Sequence, residues 1–376
     1  MTLILSPEAR LVRDGALEFF REKSPVTALR RLRDSADADG FSRPLWREMA
    51  ALGWTGFLVS EARGGSGFGM IGLGQVLEAA GRTLAATPLL STALIGASAL
   101  DLAATQAQLS AHLPGLLDGT GLIALASDEG PHHAPMQVAT TARREGAGFR
   151  LDGAKSFVLD GHVADLLIVS ARTSDGPDGI TLFLVPAGTP GVEVARRTMV
   201  DSRNAARVRL DGVMLGADAV LATVDGGSAL LAALLDRARA GLAAEMLGSA
   251  SEAFERTVQY LKDRKQFGVP IGSFQALKHR AAELFAELEV TRSAVLAALT
   301  ALDGGATDAS ALASLAKAKA NETLHRAGNE GVQMHGGIGM TDEHEIGFFL
   351  KRARVAEATF GNTDFHRDRY ARAMGY

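Results

Sequence analysis

A chain of 376 residues, 47% hydrophobic and 22% charged with a formal net charge of −4, can bury the cores of two or three domains, and that balance gives no electrostatic case for nucleic acid or an anionic membrane surface. The absence of cysteine excludes disulfides, thiolate metal sites and a cysteine nucleophile. The opening "MTLILSPEAR" holds an apolar patch too short for a signal segment and cut by Pro7, and no run reaches the roughly 18 apolar residues of a membrane span, so a cytoplasmic protein is expected.

Residues 1–119 read as an N-terminal helical domain. "PEARLVRDGALEFFRE" and "RPLWREMAALGW" repeat apolar residues at steps of three and four, and the alanine-rich "STALIGASALDLAATQAQLSAHL" follows. Residues 120–225 change to short β-type runs: "GLIALAS", "GFRLDGAKSFVL", "ADLLIVSA", "ITLFLVPA" and "ARVRLDGVML". Their separators, "EGAG", "DG" and "DGPDG", are the turn vocabulary of an antiparallel meander. Residues 226–376 are helical again, with Pro270 as their only proline. The stretch from Ala229 to Gly268 could be one helix of about 39 residues, roughly 58 Å long, of the kind that packs in a bundle and often across a subunit interface.

"GFGMIG" (Gly67 to Gly72) matches G-x-G-x-x-G, but helical text follows it with no second parallel strand, so a glycine-rich helix start is the better reading. The nine histidines show no metal spacing: His132 and His133 are adjacent, and "TDEHEIG" lacks the i,i+4 pair of a zincin helix. No G-x-S-x-G elbow supports serine hydrolysis. In "DRKQFGVPIGSFQ", Arg264 and Lys265 either complement a helix C-terminus or, with Gln266 and Phe267, hold a nucleotide. In "QMHGGIGMTDEHEI", the glycines allow either close approach to a ligand or a tight helix corner. In "EATFGNTDFHRDRY", Gly361-Asn362 reads as a helix stop that tolerates positive φ, with Phe360 at its lip.

Together these stretches resemble the acyl-CoA dehydrogenase family, from about residue 5 to the end. The resemblance implies a helical N-terminal domain, a β middle domain and a C-terminal four-helix bundle. In the family an R-x-x-F-G arginine and phenylalanine, with a glutamine eleven residues on, contact FAD from the neighbouring subunit at its adenosine-pyrophosphate end; Arg264, Phe267 and Gln275 fit, with Gln266 beside them. A Q-x-x-G-G segment clamps the same part of the dinucleotide, and Gln333, Gly336 and Gly337 fit it. "LDRAR" resembles the segment that holds the pantetheine arm of an acyl-CoA, which implies Asp236 and Arg239 as substrate-binding residues. The implied reaction is α,β-dehydrogenation of an acyl-CoA thioester, with proton removal by a carboxylate and an electron-transfer flavoprotein as acceptor.

The chain departs from the family where that carboxylate should be. Carried ungapped from Gln333, its usual position is Phe360; the minority position on the long helix is Ala238. Glu245, seven residues further, is flanked by apolar residues with no basic residue at i±3 or i±4, and reads either as a base or as half of an ion pair across helices. The middle-domain pattern T-E-P-x-A-G-S-D appears only as "ASDEGPHHAP", Phe157 stands for a flavin-facing Trp, Leu159 for a flavin-bonding Thr, and Asn362 for a Thr near the adenosine. A chain that keeps what it gives a neighbour and loses what it uses itself suits a heteromer. Its C-terminal text most resembles the small subunit of pimeloyl-CoA-dehydrogenase-type enzymes, which implies a large acyl-CoA dehydrogenase subunit as partner in a heterotetramer. Two other readings stay open: a homo-oligomeric dehydrogenase using Glu245, and a CoA-binding or scaffold subunit without redox chemistry. A dicarboxylyl substrate would need a deep cation, for which Arg63 and Arg82 are the candidates.

Overall fold

A computed structural model describes residues 4–176 and 178–376; the start of the N-terminal apolar patch and the proline of "DGPDG" lie outside them. The chain packs as two compact units, one of Met1–Ser35, Met70–Ala85 and Arg239–Tyr376, the other of Ala36–Gly69 and Ala86–Ala238.

The helices of the N-terminal zone are α1 (Pro7–Lys23), α2 (Val26–Asp34), α3 (Arg43–Ala51), α4 (Gly69–Arg82), α5 (Ala97–Ala103) and α6 (Gln106–Asp118), with a π-helical stretch at Leu89–Gly96. The alanine-rich run is thus broken before Gln106, where Thr105 and Gln108 form a reciprocal capping box. The "GFGMIG" glycines start α4: Gly67 and Gly69 take positive φ, and the Asp303 carboxylate accepts from the amides of Met70 and Ile71 at 2.6 and 2.9 Å.

The second unit is built on strands β1 (Ile123–Ala126), β2 (Thr141–Glu145), β3 (Gly148–Leu159), β4 (Leu166–Arg172), β5 (Ile180–Pro186), β6 (Val192–Thr198), β7 (Asn204–Leu215) and β8 (Val220–Leu221). Their order is β6-β7-β3-β2-β4-β5-β8, with β1 beside β4. The sheet is not a pure antiparallel meander, because β4 pairs in parallel with β1 and, at Thr141–Arg172, with β2. The burial of β4 explains this: Leu166 to Ala171 are all buried, the continuous apolar run of a strand covered on both faces rather than an alternating one. Phe149 and Phe183 meet edge-on in its core at 5.2 Å.

The long helix α7 spans Gly227–Asp263, 37 residues, and ends before Gly268 because Phe267 (φ 55°) and Gly268 (φ 80°) turn a small hairpin between β9 (Lys265–Gln266) and β10 (Val269–Pro270). Beyond it lie α8 (Gln275–Asp303), α9 (Ala309–His335), α10 (Ile346–Ala358) and α11 (Thr363–Ala373). Helix α8 runs antiparallel to α9, pinned by Arg280–Glu330 at 2.5 Å, Glu287–Lys319 at 2.6 Å and Thr291–Thr323 at 2.7 Å. Helices α4 and α7 touch backbone to backbone at two glycines: a Cβ on Gly248 would lie 1.8 Å from the Glu78 carbonyl, and one on Gly81 2.0 Å from that of Glu245. Among the described residues no helix is long and apolar enough to cross a membrane.

Candidate functional site

The helical unit holds two candidate places. The first is the corner between α10 and α11. Sequence reasoning put its helix-stop conformation on Gly361-Asn362; the left-handed residues are Phe360 (φ 57°) and Gly361 (φ 112°), while Asn362 is the N-cap of α11, accepting from the Phe365 amide at 2.9 Å. A phenylalanine holds this φ only where its surroundings enforce it. Here Arg239 Nε donates to the Phe360 carbonyl at 3.2 Å, and His366 Nε2 bonds to the same oxygen at 3.1 Å. Lys317 Nζ donates to the carbonyls of Gly361 and Ala356 at 3.1 and 3.0 Å and to Asn321 Oδ1 at 2.6 Å. All four of these side chains are buried, as is Phe360. Burial pushes the Lys317 ammonium well below its ordinary range; Glu357 opposes this, and Arg239 and Arg352 add to it.

Glu245, on α7, is 3% exposed and takes both Nε and Nη2 of Arg352, on α10, on its Oε1 at 3.0 and 2.9 Å. Asp236 and Arg239 lie three residues apart on α7 and are buried, with the Arg239 guanidinium also 5.3 Å over the Phe365 ring. The two cations considered for a dicarboxylyl group are already neutralised: Arg63 pairs with Asp101 at 3.0 Å, and Arg82 with Glu252 at 3.0 Å and with Glu255.

The second place is the opposite end of α9. The α8–α9 register brings the start of α8, with Gln275, beside the end of α9, with Gln333, Gly336 and Gly337. Tyr260, near the end of α7, donates its hydroxyl to the His335 carbonyl at 3.2 Å and so fixes the arm carrying Arg264, Gln266 and Phe267 at the same end. All seven residues are exposed there, Phe267 to 92%. The side chains of Arg264, Gln275 and Gln333 make no hydrogen bond or ion pair among the described residues, whereas Gln266 bonds the Lys265 carbonyl at 2.9 Å. Gly336 has φ 64° and ψ −139°, which only glycine adopts readily, and open space lies beside it. Sixteen residues of α9 separate Lys317 from Gln333, about 24 Å along the axis, so corner and exposed end are distinct places.

In the sheet unit, the segment that departs from the family pattern has its own lock. Glu129 takes Lys155 Nζ at 2.6 Å and the amides of Ala139 and Thr140, while Asp128 holds His133 Nδ1 at 2.8 Å. Burial raises the Glu129 carboxyl, but Lys155 and the hydrogen bonds from Thr140 together outweigh it and the group stays below the ordinary range. Phe157 sits at a break in the β3–β7 register with φ 56° and is 38% exposed.

Sequence reasoning missed Lys317, Asn321, Arg352 and His366. Lys317 and Asn321 carried a faint signal, two polar residues at i,i+4 on an alanine-rich helix; the others carried none, since their partners are set by helix packing.

The comparisons with known proteins follow this architecture. The chain matches the acyl-CoA dehydrogenase N-terminal domain over residues 6–120, the middle domain over 125–213 and the C-terminal domain over 225–375. It is 30% identical to the probable acyl-CoA dehydrogenase YngJ of Bacillus subtilis, with both chains covered in full. Among solved structures it resembles a variant of the Tcur3481-Tcur3483 steroid ACAD (TM-score 0.88, 33% identity, 98% of each chain). It also resembles the ChsE4-ChsE5 complex of Mycobacterium tuberculosis (TM-score 0.89, 26% identity, 100% of this chain and 99% of that one). The chain belongs to the acyl-CoA dehydrogenase family.

Proposed function

We propose that this chain is the subunit of a two-chain, FAD-dependent acyl-CoA dehydrogenase that lends donors to a shared flavin nucleotide while its partner supplies the carboxylate base. Family membership makes FAD the cofactor and an acyl-CoA the substrate; the bound flavin supplies the acceptor for the hydride leaving C3 of the acyl chain. The observation that carries the reading is the corner at Phe360: a phenyl group, which accepts no proton, occupies a turn held by four buried side chains.

The exposed end of α9 fits the other half of the role. Arg264 and the amides of Gln275 and Gln333 offer unused donors, Phe267 an uncovered ring, and Gly336–Gly337 a backbone that a pyrophosphate can approach. Glu245 supports the same reading. A carboxylate paired with a buried guanidinium takes a substrate proton only by giving up that charge pairing in the interior, which opposes a role as base. Asp236 and Arg239 would hold the pantetheine arm, and an electron-transfer flavoprotein would receive the electrons. The two-chain names of Tcur3481-Tcur3483 and ChsE4-ChsE5 support a heteromer of the small-subunit type, with a large acyl-CoA dehydrogenase subunit as partner.

Replacing Arg264 and Gln333 by alanine in the assembled protein tests the lending role. Flavin per complex should fall at least tenfold in apparent affinity with the fold intact; unchanged flavin retention would refute it.

A further inference from the structure

The sheet unit contains a cavity of about 620 Å³ that takes in none of the candidate site residues described above. Its floor is Phe149, Leu184 and Leu215, and its wall is α6 at Ala107, Ala111 and His112; the segment from Ala217 to Val224 closes the other side. It is formed without a ligand, because Gln108 ties α6 to that segment, donating its side-chain amide to the carbonyls of Asp218 and Val220 at 2.8 and 2.9 Å. Volume and apolar lining are those of a small-molecule site.

The polar groups say what it would take. Arg144 lies with its guanidinium 5.0 Å over the Phe149 ring, so its face is occupied while its N–H edges are not. Among the described residues it makes no ion pair and no hydrogen bond, even though an acid, Asp218, lines the same cavity. The Asp218 carboxylate turns back towards Gly216 instead. His112 likewise makes no hydrogen bond, and burial lowers its pKa, which leaves a neutral imidazole able to donate or accept.

We propose that this cavity is a second binding site, independent of the flavin reading, for a small organic carboxylate with an apolar body. The apolar part would rest on Phe149 and Leu215, and the carboxylate would take the fork of Arg144. Octanoate is the probe, with octan-1-ol as its uncharged counterpart, added to the full-length chain in its native assembly and followed by ligand-observed NMR. The expected result is saturable octanoate binding, weakened at least tenfold by Arg144→Gln, abolished by Ala111→Trp and undisturbed by saturating acyl-CoA, with octan-1-ol bound at least tenfold more weakly. Four results would each overturn it: no saturable binding below about 10 mM, binding indifferent to Arg144→Gln, displacement by acyl-CoA, or equal binding of the alcohol. If Ala111→Trp does not fold, Arg144→Gln and the alcohol decide.

Discussion

Lys317 Nζ donates to the carbonyl of Gly361 at 3.1 Å from a position with no solvent exposure, and so ties α9 to the corner that ends α10. Three acceptors surround that nitrogen: Gly361, Ala356 and Asn321. Lys317→Met would fill the space but take a donor from each of those acceptors, a loss of about 1–3 kcal/mol each, although Asn321 Nδ2 still reaches the Gly361 carbonyl at 3.4 Å. Urea unfolding should show a destabilisation of about 3 kcal/mol or more, and a change below about 1 kcal/mol would mean the lysine does not hold the corner.

The left-handed φ of Phe360 inverts an ordinary ranking. Phe360→Ala should cost about 3–5 kcal/mol in lost burial. Phe360→Gly removes one atom more, yet should be the more stable by about 1 kcal/mol, because alanine resists the 57° φ that glycine accepts. Thermal unfolding of the pair checks it; alanine above glycine would show that the corner relaxes.

Gly336 and Gly337 separate conformation from crowding, since nothing lies within 4 Å of a Cβ added to either. Only Gly336 has positive φ. Gly336→Ala should therefore cost about 1–3 kcal/mol, with Gly337→Ala close to neutral in stability. Both should weaken flavin retention if a pyrophosphate approaches that backbone, which equilibrium dialysis would read directly.

Lys155 gives a pH dependence with a definite sign. Burial lowers its pKa from 10.5 to about 8, against the pull of Glu129. Between those values the unfolded chain holds a proton that the folded chain has released, so stability rises with pH. From pH 8 to 10.5 the wild type should gain up to about 3 kcal/mol relative to a Lys155→Met/Glu129→Gln double variant. Parallel urea midpoints for the two proteins across that range would contradict it.

Glu245→Gln distinguishes a base from a partner. Removing the charge opposite buried Arg352 should lower stability by about 3–5 kcal/mol. Turnover per folded complex should be unchanged; a loss of a hundredfold or more would make Glu245 the base.

What could be read from the sequence was local. Period and punctuation marked off the helical and β zones, and Gly67 to Gly72 was recognisable as a helix start. The motifs around Arg264 and Gln333 carried the family, and the α8–α9 register brings both to one end of the bundle. What could not be read depends on register between distant elements. Glu245 finds Arg352 across 107 residues, and Lys317 finds Gly361 across 44. The parallel neighbours of β4 follow from burial on both faces, which a short apolar run does not declare. The Gly361-Asn362 pair reads as the place of positive φ because both residues tolerate it; Gly361 has it, but its companion is Phe360 rather than Asn362, and the buried donors around the Phe360 carbonyl override that preference.

The central claim, that this chain lends donors to a flavin but brings no base, is tested most directly by an absorption spectrum of the chain purified alone and reconstituted with FAD, before and after anaerobic addition of mixed acyl-CoAs. The account predicts a flavin band that does not bleach, and bleaching only when an acyl-CoA dehydrogenase homologue is co-assembled. Full bleaching by the chain alone would contradict it and place the base within these 376 residues.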